Sequence, residues 1–132
     1  MNQRLVKYRG LSWDKKTWHF GVPISLTQEF CSEGIVDGIR TSWEENEDID
    51  HETLGQFTGF QDSKGTHVYE GDLLKSLGVD ICEVRWDDAR GMFYLIVINP
   101  DNEDISTTYN LDVHVFKYRE VIGNIYQKNK IK

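Results

Sequence analysis

Proline, cysteine and long apolar runs are all scarce in this chain. Two prolines (Pro23 and Pro100) in 132 residues, with no stretch rich in Pro, Gly or Ser, leave no sign of a linker or a low-complexity tract. Two cysteines (Cys31 and Cys82) are too few for a disulfide framework. No run of about 18 apolar residues occurs, which argues against a membrane-spanning helix. The opening residues, Met1 to Lys7, lack an apolar signal core, so a cytoplasmic protein with free thiols is expected. Chemical motifs are absent too: there is no CxxC, HxxxH or HExxH spacing, no GxxxxGK[ST] or GxGxxG loop and no GxSxG elbow. The expectation is a protein that is not an enzyme and holds no metal or cofactor.

What the chain does have is globular composition, 39% hydrophobic and 28% charged, and an uneven charge. The net charge is −7. Residues 1–19 hold five bases against Asp14, and 117–132 hold five against Glu120. The body, 20–116, therefore carries 5 bases and 20 acids. Basic ends on an acidic body allow head-to-tail self-association or attraction to a charged partner, while ordinary solubilising surface charge is the simpler reading.

The apolar pattern has a period near two and is rich in β-branched and aromatic residues, which predicts strands. Strands are expected at 4–9 and 17–22 about an Asp14-Lys15-Lys16 turn. Residues 34–43 are ambiguous, with strand favoured. Glu44 to Glu52, with six acids and no base, reads as a solvated connection holding a helical turn capped by Asp50. In the second half, Asp62 to Gly65 marks a turn. A strand at 66–76 is interrupted at Gly71, read as a bulge. A strand at 79–86 alternates Cys82, Val84 and Trp86 inward. Residues 92–98, apolar throughout, read as a strand covered on both faces or central in its sheet. Strands at 105–109, 111–118 and 119–126 complete a mainly β chain whose short strands and regular turns suit a small barrel or sandwich.

Several residue groups merit a functional reading. Asp87-Asp88 and Asp101 to Asp104 are carboxylate clusters in turns, better read as turn chemistry than as a paired acid and base. His19, His51, His67 and His114 lack ligand spacing. Tyr69-Glu70-Gly71-Asp72 is the sharpest local feature. As a recognition edge it offers a ring, two acceptors and a close backbone approach; as architecture, the favoured reading, Gly71 bends the strand and Asp72 ties turn amides. Of the four tryptophans, Trp86 is expected in the core and Trp13 and Trp18 across a hairpin. Trp43, beside the acidic run, is the candidate exposed ring.

One further signal is a resemblance. Gly55-Gln56-Phe57-Thr58-Gly59-Phe60-Gln61-Asp62-Ser63-Lys64-Gly65, then Val68-Tyr69-Glu70-Gly71-Asp72-Leu73-Leu74-Lys75, resembles the signature of the YopX family of small bacteriophage and prophage proteins. Val84-Arg85-Trp86-Asp87-Asp88 with Phe93, Glu120-Val121-Ile122-Gly123-Asn124-Ile125-Tyr126, and Lys7-Tyr8-Arg9 with Trp13-Asp14-Lys15 match in order. Residues 23–50 and the tail from Gln127 depart from the pattern. The resemblance implies a mainly β protein with an SH3-like barrel over 53–132; the strand reading adds a β-rich region over 1–52, with the acidic connection and a hairpin expected to pack on that barrel. The resemblance implies no activity and no catalytic residue.

The function expected is that of a non-enzymatic accessory protein that binds an unidentified phage or host protein, with self-association open to it. The alternatives are a small β-barrel associated with nucleic acid, and an acidic inhibitor of a host DNA-binding enzyme. Fold alone separates none of these.

Overall fold

The computed structural model describes residues 7–24, 38–40, 46–76, 78, 80–99 and 107–127. The protein is mainly β. Two antiparallel sheets have the strand orders β4-β3-β2-β1-β5-β6 and β10-β9-β8-β7-β11. The chain forms two compact units, 1–57 and 58–132.

The first unit is built on the hairpin of β1 (Tyr8–Leu11) and β2 (Trp18–Ile24), in register from Tyr8 opposite Gly21 to Leu11 opposite Trp18. Trp13 therefore lies in the connecting turn and does not stand across from Trp18, which faces Leu11. The Ser12 N–H donates to the Thr17 carbonyl at 2.9 Å and closes the turn, in which Lys15 takes a positive φ of 63°. Strands β3 (Gly38–Arg40) and β4 (Asn46–Asp48) extend the sheet beyond β2. The acidic segment expected to be a solvated connection thus contributes a strand. β4 ends the sheet order, and a charged strand is tolerated at an edge, where one side meets water.

The other half of that expectation holds. His51–Thr53 is one turn of 3-10 helix with Asp50 as its N-cap, whose side chain accepts from the Glu52 N–H at 3.1 Å. The Asp50 N–H donates to the Leu11 carbonyl, and the Leu11 N–H donates to the Thr53 hydroxyl, each at 2.8 Å. These bonds dock the helical turn on β1 so closely that a Cβ at Gly10 would collide with Ile49. Leu11, Ile39, Ile49 and Phe57 are buried. Among the described residues this turn is the only helical element, and none of the helices is long and apolar enough to cross a membrane.

The chain enters the second unit along β5 (Gly55–Gln61), whose far half forms a hairpin with β6 (His67–Tyr69). Strands β7 (Asp72–Lys75), β8 (Ile81–Asp87), β9 (Met92–Val97), β10 (Thr108–Asn110) and β11 (Glu120–Asn124) make the second sheet. Its order leaves β10 and β11 as ends that do not pair with each other among the described residues, so backbone pairing does not close a barrel. Val68, Leu74, Cys82, Val84, Leu95, Val97 and Phe116 form one core, with Phe60, Phe93, Tyr109, Leu111, Val115 and Val121 packed against it. The buried aliphatic side chains each contribute about 1.5–3 kcal/mol by leaving water.

Four expectations need correction here. Residues 111–118 are not a strand. Val115 N–H bonds to the Asp112 side chain at 2.8 Å and Lys117 N–H to the His114 carbonyl, so the segment winds through turns that drop Phe116 into the core. Val113 and His114 lie outside. Trp86 is not core: it is 42% exposed, because β8 runs past the core at its C-terminal end. There it meets Phe93 edge to face at 4.8 Å and donates its indole N–H to Asp88 at 2.6 Å. β9 is neither central nor covered on both faces; it lies second from the end, with only Leu95 and Val97 fully buried. Gly71 is not a bulge, because Glu70 and Gly71 form a turn that separates β6 from β7 and sends the chain from one sheet to the other.

Asp62 holds the second unit's turn to its last strand. Its carboxylate is buried and accepts three backbone N–H groups, from Lys64 at 2.8 Å, Thr66 at 2.9 Å and Val121 at 2.8 Å. Removing it leaves three backbone donors, in part-buried bonds, without that acceptor. Asp62→Ala is expected to cost about 2–4 kcal/mol in urea unfolding, and Asp62→Asn about half as much.

Asp50 gives a pH prediction. Its side chain pairs with Lys15, and the Lys15 hydrogen bond, opposed by burial, holds the carboxyl below its ordinary value of 3.8. A carboxyl lowered in the folded state stabilises fully above the unfolded value, and that contribution is lost as pH falls through the lowered folded value. Unfolding monitored between about pH 5 and pH 2 is expected to show acid loss of stability. Lys15→Met is expected to shift the Asp50 carboxyl titration, followed by NMR, upward.

Candidate functional site

The Tyr69 to Asp72 turn is built from its own side chains. The Asp72 carboxylate is buried and accepts the Tyr69 N–H at 2.8 Å, an acid closing the turn that precedes its own strand. Gly71 takes a φ of 90°, open to glycine and rare for other residues. Its N–H donates to the Val84 carbonyl at 2.9 Å and its carbonyl accepts from the Ile125 N–H at 3.0 Å, so β8 and the residue after β11 close on it from two sides. Tyr126 lies so near that a Cβ on Gly71 would sit 3.1 Å from its ring. Tyr69 is buried, and only Glu70 is part-exposed. The close backbone approach allowed by glycine is already taken by this chain's own residues.

Asn124 repeats the device at the C-terminal end of β11. Its side-chain oxygen accepts from the Tyr126 and Gln127 N–H groups at 3.0 and 2.9 Å, and its amide donates to the Gln127 side chain at 3.0 Å. Asp62, Gly71, Asp72 and Asn124 together fix the turns of the second unit, and all four fall in the stretches of sequence that carry the family resemblance.

Trp43 and the Asp101 to Asp104 cluster lie outside the described residues. Asp87 caps its turn through the Ala89 and Arg90 N–H groups and pairs with Arg90, whose hydrogen bond lowers its pKa. That is the turn chemistry expected of it. Cys82 is fully buried, and burial pushes its thiol up, away from a thiolate nucleophile. Among the described residues no three His, Cys, Asp or Glu side chains gather where a metal ion would sit.

The side chains that face outward with chemical character lie on the β1–β2 hairpin. Trp18, Phe20 and Val22 alternate along β2 and share a face. Phe20 is 43% and Val22 59% exposed, and Trp13 in the turn is 62% exposed. Arg9, opposite Phe20 in the register, lies with its guanidinium 4.0 Å from the Trp18 ring centroid, and the Lys7 ammonium is 5.4 Å from that of Phe20. Arg9 itself is buried, so the face is an apolar strip whose solvent-accessible cation is Lys7. Sequence reading found the strand but not this face; the signal was the pairing of basic Lys7 and Arg9 with aromatic Trp18 and Phe20, two residues apart on each strand.

A family model described as YopX protein matches residues 7–131, and the chain belongs to the YopX family. No curated protein matches the chain.

The turn geometry yields a stability contrast. Gly71→Ala introduces a Cβ at positive φ against Tyr126 and is expected to destabilise the second unit by about 2–3 kcal/mol in urea unfolding. Glu70→Ala, part-exposed in the same turn and not at positive φ, is expected to cost less than Gly71→Ala in the same measurement.

Proposed function

We propose that this YopX family member is a non-enzymatic accessory protein of a phage or prophage, acting in the bacterial cytoplasm by binding a protein partner. The observation that carries the reading is the outward face of the β1–β2 hairpin, where Phe20 and Val22 stand exposed, with the Lys7 ammonium against the Phe20 ring. Exposed aromatic and aliphatic side chains that cluster on one strand face are the ingredients of an interface core, and arginine and aromatic residues are its frequent anchors. A cation on the same strip favours a partner surface that is acidic around an apolar centre.

The second unit serves this reading as scaffold. The β5–β6 hairpin and the five-stranded sheet share one core. That arrangement supports an SH3-like fold of the open type, left unclosed at β10 and β11.

Nucleic acid is the second reading, favoured by the same alternation of rings and cations, which in other folds stacks bases and neutralises phosphates. It ranks below protein binding for two reasons. Val22, the most exposed residue of the strip after Trp13, is aliphatic and offers no stacking plane. The net charge of −7 also opposes approach of a polyanion.

The tagged chain, incubated with lysate of phage-infected cells, is expected to retain a protein partner after nuclease treatment. The double substitution Phe20→Ser with Val22→Ser is expected to abolish the capture while leaving circular dichroism unchanged, since both side chains are exposed. Capture that disappears with nuclease moves nucleic acid to first place. Capture unaffected by the double substitution removes the β1–β2 face from consideration.

A further inference from the structure

The second unit holds a cleft of about 290 Å³ that the preceding reading does not use. Lys64 reaches it from the Asp62 turn, Lys75 from the end of β7 and Lys117 from the turns before β11; Ser76, Tyr118 and Glu120 share the wall. Three separated pieces of sequence thus bring three lysines to the lining of one concavity. None of the three forms an ion pair with a carboxylate among the described residues. Glu120 is the one carboxylate in the lining and stands opposite Lys75 in the β7–β11 register.

The frame of the cleft is fixed. Asp62 binds the N–H of Lys64 in one wall and the N–H of Val121, next to Glu120, in another. The Ser63 N–H donates to the Arg119 carbonyl at 2.9 Å and ties the same two segments again. The lysines therefore project from positioned backbone, in a chain whose other described lysines, Lys7, Lys15 and Lys16, belong to the first unit.

Tyr118 adds a second chemistry. Its ring is 56% exposed, with the Lys117 ammonium 5.4 Å from the centroid. A planar ring beside several point cations and a hydroxyl suits a ligand that carries a compact anion on a planar group. The volume lies just below the roughly 300–1,000 Å³ of small-molecule sites, sized for one small ligand and not for a polymer.

We propose that this cleft binds a phosphate monoester carried on a planar ring, the chemistry of a nucleoside monophosphate. Lysine ammonium groups, with the Ser76 hydroxyl as a further donor, meet the phosphate as point charges, and Tyr118 meets the ring. The site is one of binding; no bond is made or broken. It is separate from the β1–β2 face and does not rest on the protein-binding reading.

The test is titration of the isotope-labelled full chain, by NMR, with adenosine monophosphate, inorganic phosphate and adenosine. The monophosphate is expected to shift the amides of Ser63, Lys64, Lys75, Ser76 and residues 117–120. Inorganic phosphate is expected to shift the lysine-bearing subset, and adenosine alone to bind most weakly. Lys75→Ala with Lys117→Ala, both surface changes that leave the fold intact, is expected to weaken the monophosphate about tenfold or more. Tyr118→Ala is expected to weaken the monophosphate while leaving inorganic phosphate unchanged. Raising salt is expected to weaken both anions. Shifts confined to other surfaces, no saturable shift, or wild-type affinity in the double lysine variant would each overturn the proposal; equal loss of phosphate and monophosphate in Tyr118→Ala would remove the ring from it.

Discussion

The second unit depends on a carboxylate that has left water. Asp62 is almost fully buried, and an ion in that position is tolerated only when its oxygens are taken up by donors. Here one oxygen accepts the two N–H groups that shape the 62–66 turn and the other accepts the Val121 N–H, 59 residues away in sequence. Hydrogen bonds to an ionised acceptor are stronger than neutral ones, so the bond across that separation also fixes where β11 begins. β11 then pairs with β7, β7 with β8, and β8 with β9. A displacement at Asp62 would reach the sheet at its β11 end.

The same device recurs on a smaller scale. Asp14 accepts the Lys16 N–H, Asp50 that of Glu52, Asp72 that of Tyr69, Asp87 those of Ala89 and Arg90, and Asp112 that of Val115. Each is a short acid tied to an amide two or three residues away, the geometry that makes Asp a turn former. This accounts physically for part of the acidic body. Carboxylates oriented by turn amides sit where the turns fall and not at a regular spacing. Proline is scarce for a related reason: the turns are set by side-chain acceptors and by glycine at positive φ, and they use N–H groups that proline lacks.

Much of the fold was legible because strand periodicity survives in any half-buried sheet. Cys82 and Val84 alternate inward as the sequence says, and the Asp50 cap was plain from an acid before a short polar turn. The failures share a cause. Alternation is local, whereas burial depends on where the core ends. Trp86 continues the Cys82–Val84 alternation on a strand that outruns its core. Val113 and Val115 mimic a strand, but the Asp112 cap and the burial of Phe116 wind the segment instead. Asn46–Asp48 looks too charged for a strand, and is one only because it ends its sheet. Gly71 signalled a break correctly, but whether a glycine bends one strand or separates two depends on which sheets its neighbours join. The candidate surfaces were least legible. The β1–β2 face needs the hairpin register, and the cleft needs Lys64, Lys75 and Lys117 brought together across more than fifty residues.

The residues that carry the family resemblance divide in two: Lys7, Trp13, Lys64 and Lys75 belong to the candidate surfaces, and Asp62, Gly71, Asp72 and Asn124 to the scaffold. Gly71, Asp72, Asp62 and Asn124 are turned inward on backbone groups and hold the second unit's shape. On the readings proposed above, function falls to surfaces the scaffold displays, and electrostatics limits what they can take. Beyond about 8–10 Å in physiological salt the net charge of −7 is screened, and at shorter range each local cluster acts through its own sign. An extended polyanion must lie along acidic and basic surface together. On the same readings, a compact anion or a single acidic partner patch would meet only the local cations, at Lys64, Lys75 and Lys117 or at Lys7. Basic clusters on an acidic protein therefore discriminate by size: they favour ligands whose charge is concentrated and exclude those whose charge is spread.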